Sequence, residues 1–320
     1  MTHLRVAAVA LTVVVVLVAG WWFATRGEEL ATLRGHTGVV RAIDFSSTGL
    51  LASCGDDGTV RLWDLSNKKT VHVLDGHSGK VRALQFSPKG DWLASAGSHG
   101  DVRLWDPSTG RQIGTWDASR KGIERLAVSR DGTVLAAGGV DKLVHLWSVP
   151  DRKPLRHLAG HAKHVHGLVF SPDGKRLVSA GEDGSIIVWD WKDGRQLKTV
   201  SAGNHHVHNL LLADDGEGLI ACTAGTGIQV WNWPALTSKG LSFQGCGLAL
   251  ALDTTRSGRK YVTVHEDRVV KVWDAGGGIP KKVYSGHRDI VLDVKLSPDQ
   301  TMIASCSVDG TVKLWTMLPD

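Results

Sequence analysis

The sequence has no block of five or six consecutive basic residues, although its formal net charge is +5. Scattered basic residues give little support to nucleic-acid binding, and we expect no nucleic-acid partner. The four cysteines include no CxxC pair, so a cysteine zinc site is not indicated. A phosphate-binding loop, a kinase or nuclease signature and a consistent acid/base pair are also missing. We therefore predict a protein that is not an enzyme and holds no cofactor.

One long uncharged stretch covers residues 6–24, VAAVALTVVVVLVAGWWFA. Its 19 residues are enough to cross the hydrocarbon core of a bilayer. Arg5 precedes the stretch, and the aromatic residues 21–23 close it, where interfacial aromatics usually lie. We predict a single-pass anchor in residues 1–26. The N-terminus would be cytoplasmic, and the rest of the chain would lie on the outer (periplasmic or extracellular) side of the membrane.

A cleaved signal peptide is the alternative interpretation of this stretch. Val18, Ala19 and Gly20 could be read by a signal peptidase, because the second and third of them are small. The apolar run is longer than a usual signal-peptide core, which favours the anchor. Trp21 stands where a lipoprotein signal needs cysteine, so lipidation is not expected.

Tyrosine and phenylalanine are scarce, at 2 and 5 residues, whereas there are 13 tryptophans. Seven tryptophans recur at intervals of 42 residues: Trp63, Trp105, Trp147, Trp189, Trp231, Trp273 and Trp315. Repeats of 40–45 residues are typical of propeller blades. The periods fill residues 27–320, so this segment is predicted to be one domain of seven repeats.

Each period shows short alternating stretches between Gly, Asp and Asn turns. In the first period VVRAIDF, LLASCG, TVRLWDL and VHVL follow one another. Alternation bounded by such turns is typical of a four-stranded antiparallel meander. A four-stranded sheet has two apolar faces to bury, so the copies are expected to stack around an axis. The predicted fold class is all-β.

Two dipeptides in the repeat carry a family resemblance. Trp-Asp stands at 63–64, 105–106, 189–190 and 273–274, and Gly-His stands at 35–36, 76–77, 160–161 and 286–287. Residues 28–320 resemble the WD40-repeat family. The resemblance implies a monomeric seven-bladed β-propeller that works as a binding platform, closed by an N-terminal strand at Glu29–Leu33 that completes the last blade.

The resemblance also implies a hydrogen-bond relay of His, Ser or Thr, Asp and Trp within a blade. Three repeats carry all four residues: His36, Ser53, Asp57, Trp63; His161, Ser179, Asp183, Trp189; and His287, Ser305, Asp309, Trp315. The other repeats look incomplete, with His99 at the Asp position of the second and Gly245 at the His position of the sixth. The third keeps Asp141 and Trp147, and the fifth keeps Trp231. We reject a catalytic-triad interpretation, because the sets recur and no oxyanion site accompanies them.

We define the GH face as the face of the ring that carries the Gly-His loops and the relay-Asp turns. Family members commonly contact partners there, and we predict a protein or peptide partner. The predicted contact residues are Arg41, Asp56, Lys80, Arg82, Glu124, His164, His166, Glu182, His206, His208 and Glu266. The cationic residues at 41, 80 and 82 would suit an acidic partner. Only residues 25–27 separate the anchor from the closing strand, so the GH face should point away from the membrane.

Blades four and five carry a His-x-His pair at one repeat position: His164 with His166, and His206 with His208. Residues two apart on a strand share a face. Three interpretations stay open: a metal site with Glu124 and Glu182 nearby, a pH-sensitive patch, or polar side chains that only face water. We assign no metal site; the candidate ligands for a metal are the four histidines. The alternative function is therefore a metal-binding or pH-sensing propeller.

Three of the cysteines, Cys54, Cys222 and Cys306, occupy the same position in their repeats. Equivalent positions point the same way around the ring, so residues 54 and 306 on neighbouring blades should not face each other. We expect small core residues and no disulfide.

Overall fold

The computed structural model describes residues 28–317 except 204, 214, 215, 242 and 244. These residues form seven four-stranded antiparallel sheets, one for each tryptophan period. The predicted anchor and its alternative cleavage site lie outside the described residues. Within the described part of the chain, no helix has the length and apolar character needed to cross a bilayer.

The innermost strand of each blade is six residues long; its first residue is buried and its second is partly exposed. These strands are β2 (Val40–Phe45), β6 (Val81–Phe86), β10 (Ile123–Val128), β14 (Val165–Phe170), β18 (Val207–Leu212), β22 (Ala249–Thr254) and β26 (Val291–Leu296). A register shift follows the first residue of each of them, for example between Val40 and Ala42. A bulge of this kind turns the second side chain of the strand toward the central channel.

The second strands are the most buried part of each blade. They are β3 (Leu51–Gly55), β7 (Leu93–Gly97), β11 (Val134–Gly139), β15 (Arg176–Gly181), β19 (Gly218–Thr223), β23 (Lys260–His265) and β27 (Met302–Ser307). The third strands carry the periodic tryptophans. They are β4 (Val60–Asp64), β8 (Asp101–Trp105), β12 (Leu143–Ser148), β16 (Ser185–Asp190), β20 (Gly227–Asn232), β24 (Val269–Asp274) and β28 (Val312–Thr316).

The outer strands vary most in length. They are β5 (Lys69–Leu74), β9 (Gln112–Asp117), β13 (Lys153–Ala159), β17 (Arg195–Ser201), β21 (Thr237–Ser238), β25 (Lys282–Ser285) and β1 (Glu29–Leu33). In blade five β21 has two residues and pairs only with Trp231 and Asn232 of β20. Among the described residues, the rest of the outer edge of β20 has no partner in a named strand, although the Lys239 amide donates to the Val230 carbonyl oxygen at 2.8 Å.

The ring closes as the sequence predicts. Strand β1 pairs antiparallel with β28, the third strand of blade seven, with Glu29 opposite Trp315 and Leu33 opposite Val312. A Lys313–Glu29 ion pair of 2.7 Å adds to the contact. Inner strands of neighbouring blades contact each other all the way round, including β26 with β2. The first strand thus covers the edge that β28 would otherwise expose.

The core lies between the blades. Trp63, for example, is 1% exposed and packs with Leu51 and Val40 of its own blade and with Cys306 of blade seven. Similar apolar clusters join each blade to the next. A single four-stranded sheet could not bury both of its faces, so each blade depends on its neighbours for stability.

All four cysteines are buried free thiols, in agreement with the expectation of small core residues. Burial raises the pKa of the Cys54 thiol far above its usual range and that of the Cys246 thiol to about 11. The buried thiols are therefore protonated at neutral pH and are poor nucleophiles.

Candidate functional site

In blade one, the relay fixes the loops of the GH face to the core of the blade. His36 bonds through Nδ1 to Asp57 (2.8 Å) and through Nε2 to Ser53 Oγ (2.8 Å). Trp63 Nε1 donates to the same Ser53 oxygen at 2.8 Å. The relay ties the Gly-His loop and the Asp turn to the buried indole, so loops of the GH face are fixed to the core.

Blades four and seven repeat this arrangement. His161 bonds to Asp183 (3.1 Å) and Ser179 (2.7 Å), and Trp189 donates to that Ser. The set of His287, Ser305, Asp309 and Trp315 has the same contacts. Burial lowers the pKa of His36 and His161, because a buried imidazolium loses hydration.

Blade two corrects the expectation that only three relays are complete. His77 bonds to Ser95 (2.7 Å), and Trp105 Nε1 donates to Ser95 (2.8 Å) as in the other blades. The carboxylate comes from Asp101, which is 2.7 Å from His77 Nδ1, and not from residue 99. Asp101 stands two residues later, on β8, and His99 is exposed. The relay tolerates this shift because a strand residue and a turn residue can both reach the histidine.

Blade six also differs from its expected pattern. His265, at the end of β23, places Nε2 2.7 Å from Thr263 Oγ1, and Trp273 donates to the same oxygen. His265 therefore makes the contact with Thr263 that the glycine at position 245 cannot make. Burial lowers the pKa of His265 to about 4. Asp267 pairs instead with Lys271 at 2.8 Å.

In blade three a histidine lies against the periodic tryptophan. His145 bonds to Asp141 at 2.8 Å and stacks on Trp147, with ring centroids 5.9 Å apart. No serine takes part, because Ala137 of β11 stands where the other relays have Ser or Thr.

The relay serines have no access to a substrate. Their side chains are fully buried and accept the indole N–H, and they are Ser53, Ser95, Ser179 and Ser305. A serine nucleophile must be reachable and must face an oxyanion site. This geometry supports a structural role for the Ser/His/Asp sets.

One side chain from each blade lines the GH end of the central channel. The ring consists of Arg41, Arg82, Glu124, His166, His208, Leu250 and Leu292. Five of these residues belong to the predicted contact set. Together with Arg125 and Asp293 they enclose a cavity of about 320 Å³.

Sequence reasoning missed Arg125, a further cation that lines this cavity. Its Nε donates to the carbonyl oxygen of His166 at 3.0 Å, and its Nη2 approaches that of His208 at 3.4 Å. The guanidinium thus bridges the inner strands of blades four and five. The available signal was its repeat position, where the other inner strands carry Ala42, Ala83, Gly167, Asn209, Ala251 and Asp293.

The predicted cationic patch is balanced by carboxylates. Arg41 binds Asp56 with two hydrogen bonds, of 2.7 and 2.9 Å, and Lys80 reaches the same carboxylate at 2.7 Å. Arg82 pairs with Glu124 across blades two and three. The hydrogen bonds from Arg41 lower the pKa of Asp56 to about 2. The patch therefore presents paired charges and offers no uncompensated positive field to an acidic partner.

Both histidine pairs lie next to Arg125, which contacts the carbonyl oxygens of His166 and His208. His164 Nδ1 is 3.4 Å and His166 Nε2 3.1 Å from the same oxygen of Glu182. In blade five the rings of His206 and His208 are 6.3 Å apart.

The two glutamates that the sequence placed near these histidines behave differently. Glu182 joins His164 and His166, whereas Glu124 is engaged by Arg82. Glu266, the remaining predicted contact residue, is exposed on blade six.

Comparison with known families agrees with the architecture. The family model "WD40: WD domain, G-beta repeat" matches residues 27–64, 68–106, 110–148, 152–190 and 278–316, which is more than half of the chain. The chain belongs to the WD40 family. Residues 191–277 lie between the matched segments, yet the structure places all four strands of blade five and the first three strands of blade six there. The WD40 signature has decayed in these two blades while the fold is kept.

Similarity to curated proteins is local. Cilia- and flagella-associated protein 52 of Mus musculus is 36% identical over 64 residues, which are 20% of this chain and 10% of that protein. Eukaryotic translation initiation factor 3 subunit I of Aspergillus oryzae is 41% identical over 58 residues, 18% of this chain and 17% of that protein. The chain thus spans less than a fifth of either relative. WD40 propellers are typically scaffolds for protein interaction.

Proposed function

We propose that this WD40 propeller is a membrane-anchored scaffold whose GH face binds a protein or peptide. The observation that carries the proposal is the channel mouth, where five charged or imidazole side chains and two leucines meet around a cavity of about 320 Å³. A concave site with a few oriented polar groups and some apolar surface suits a projecting peptide side chain or loop.

The relays support this role because they hold the face rigid. Four complete sets connect the loops of blades one, two, four and seven to buried tryptophans. A rigid surface loses less conformational entropy on binding, and this favours affinity. The paired charges at the mouth favour a partner with both charge signs, since an acidic partner would have to displace Asp56 and Glu124.

The chain enters the propeller from the side opposite the GH face. Glu29 of β1 pairs with Trp315, at the end of β28 that lies away from the Asp309 turn. If residues 6–24 span a bilayer, the short connection at 25–27 keeps this opposite face near the membrane. The GH face then points toward soluble partners on the outer side.

Site-specific photo-crosslinking tests the assigned face. A benzophenone amino acid at exposed position 266 should crosslink a partner in native membranes, and the same residue at exposed position 67, on the opposite face, should not. Arg82→Ala and Glu124→Ala should each reduce the crosslinked yield at position 266. Crosslinks obtained from position 67 alone would show that the binding face is assigned wrongly.

Cysteine accessibility tests the anchor and its orientation. Val71 is 49% exposed on β5, whereas the four native thiols are buried, so Val71→Cys adds one reactive thiol to the folded chain. We expect a membrane-impermeant maleimide to label this variant in intact cells and the unaltered chain to stay unlabelled. Labelling only after cell lysis would contradict the outer location. The N-terminal sequence of the mature chain distinguishes an anchor from a cleaved signal.

A further inference from the structure

His164, His166 and Glu182 converge at the rim of the channel in blade four. Their ligand atoms all lie within 4.8 Å of one another. We propose that these three side chains form a binding site for a transition-metal dication, and that the ion bound is Zn²⁺. The site goes beyond the proposed scaffold function, because the metal would bind to the chain alone and needs no partner.

The interatomic distances fit a tetrahedral centre. Metal–ligand bonds of about 2.0–2.1 Å to His nitrogen and carboxylate oxygen place neighbouring ligand atoms roughly 3.3 Å apart in a tetrahedron. The Glu182 oxygen is 3.4 Å from His164 Nδ1 and 3.1 Å from His166 Nε2. The rings of the two histidines are 6.2 Å apart and inclined at 56°, and their ligand nitrogens lie within 4.8 Å of each other, so side-chain rotation has to bring the two nitrogens onto one ion. Imidazole nitrogen selects Zn²⁺ and its neighbours in the transition series over Mg²⁺ and Ca²⁺.

Backbone pairing holds the three side chains in place. The amide N–H of Glu182 donates to the carbonyl oxygen of His164 at 2.9 Å, so the turn after β15 is bound to the start of β14. Val165, between the histidines, is fully buried and anchors the strand. Arg125 of the neighbouring blade three donates to the carbonyl oxygen of His166 at 3.0 Å. A preorganised backbone limits the entropy that metal binding would cost.

Blade one shows how a cation compensates a carboxylate at this repeat position. Asp56 is the counterpart of Glu182, and Arg41 of the same blade binds it with two hydrogen bonds. In blade four the residue at the Arg41 position is His166, and within the described residues the ion pairs of Glu182 are with His164 and His166. A metal ion bound there would supply the positive charge that the guanidinium supplies in blade one.

Blade five provides an internal comparison. It repeats the His-x-His pair as His206 and His208, with nearly the same ring separation as in blade four. It also repeats the backbone bond, from the amide of Ala224 to the carbonyl of His206 at 2.9 Å. The third ligand is missing because Ala224 stands at the Glu182 position. The donor set therefore occurs in blade four and is incomplete in blade five.

The site is open to solvent. The side chains of His164, His166 and Glu182 are 38%, 24% and 26% exposed. An ion can enter without rearrangement of the blade, and three protein ligands leave a fourth position for water.

Calorimetric titration of the untagged full-length chain with ZnCl₂ tests the proposal, with CaCl₂ as the control ion. We expect one equivalent of Zn²⁺ to bind and Ca²⁺ to give no signal. Glu182→Gln and His166→Ala should each weaken Zn²⁺ binding at least about tenfold, because even outer-shell changes cost 10–100-fold in affinity. His206→Ala, in blade five, should stay within about twofold of the unaltered chain. The thermal unfolding of each variant, measured without metal, shows whether it is folded.

The substitution Ala224→Glu tests the comparison between blades four and five through a gain of Zn²⁺ binding. It completes the donor set in blade five, so the chain should then bind two equivalents of Zn²⁺. Cobalt(II) added to the unaltered chain should give the visible absorption bands of a tetrahedral centre, and these should disappear in Glu182→Gln. An affinity in folded Glu182→Gln equal to that of the unaltered chain overturns the proposal, as does the absence of a stoichiometric site. One equivalent in Ala224→Glu would overturn the claim that these three donors suffice.

Discussion

At the scale of single residues, Asp101 shows that a hydrogen-bond relay depends on reach and not on repeat register. The carboxylate lies two positions later than in the other complete blades, yet it meets His77 Nδ1 at 2.7 Å. It also accepts a hydrogen bond from Arg103 Nε at 3.0 Å. Desolvation by burial opposes its ionisation, but the hydrogen bond and charge of His77 hold its pKa at about 2.

The substitution Asp101→Ala should therefore destabilise the propeller by about 1–3 kcal/mol, because it leaves a buried donor of His77 without an acceptor. His99→Ala is the matched control at the position where the repeat pattern puts the carboxylate. It should change the free energy of unfolding by less than about 0.5 kcal/mol, since this side chain is exposed. Urea denaturation measures both variants. Equal effects would mean that His77 does not depend on Asp101.

At the scale of elements, the closing strand β1 connects the first and last parts of the chain. Leu33 is 2% exposed and packs in the cluster shared by blades seven and one, whereas Leu30 on the same strand is 37% exposed. The strand covers the edge of β28, which would otherwise be open to pairing with other chains. Its contribution to stability therefore comes from a few buried positions.

Truncation of the two leucines separates burial from strand formation. Leu33→Ala should cost about 2–4 kcal/mol, through lost burial and a cavity in the cluster. Leu30→Ala should cost well under about 1 kcal/mol, because this side chain already faces solvent. The midpoint of thermal or urea unfolding checks both values. A similar loss in the two variants would contradict the role of the buried cluster in closure.

The second element is the short outer strand of blade five, β21, where we expect the blade to open locally. Strand β21 pairs with only two residues of β20, whereas β17 in blade four pairs along the whole of β16. Amides on an unpaired edge exchange with solvent through small fluctuations. Hydrogen exchange followed by mass spectrometry should show faster exchange in residues 227–238 than in residues 185–201. Equal protection in the two segments would show that another part of the molecule covers the edge of β20.

At the scale of the whole molecule, the buried relays link stability to pH. Burial lowers the folded-state pKa of His36 and His161 and brings that of His265 to about 4. The unfolded chain, with a histidine pKa of about 6.5, binds protons first as the pH falls. This stabilisation is complete above pH 6.5 and is lost on acidification. Asp44 acts in the opposite direction, because burial raises its folded pKa to about 6.

Burial also lowers the pKa of His208 and raises that of Asp253. The four histidines outnumber the two carboxyls, so we expect the urea midpoint to fall between pH 7 and pH 5. A second loss should follow below about pH 4, where Asp56 and Asp101, whose folded pKa values are about 2, lose their stabilising charge. The substitution His265→Gln should flatten the first decline and leave the second unchanged. A midpoint independent of pH between 7 and 5 would contradict the buried neutral state of these histidines.

The sequence by itself determined the number of blades, and its resemblance to the WD40 family implied the closure of the ring by the strand at Glu29–Leu33. The local signals are a tryptophan every 42 residues and turn residues between alternating strands. They determine strand position because alternation and turn geometry act over a few residues. The predicted anchor at 6–24 stays a sequence prediction.

Tertiary structure alone decided which side chains meet on the GH face. Asp101 replaces the carboxylate expected at position 99, and His265 supplies the histidine that position 245 lacks. Glu182 joins the histidines, whereas Glu124 pairs with Arg82, and Arg125 links blades four and five. These contacts join residues from different strands or blades, and their distances depend on how bulges and ring curvature aim each side chain. Spacing along the chain fixes the position of a residue in its repeat but not the direction or reach of a long polar side chain across the channel.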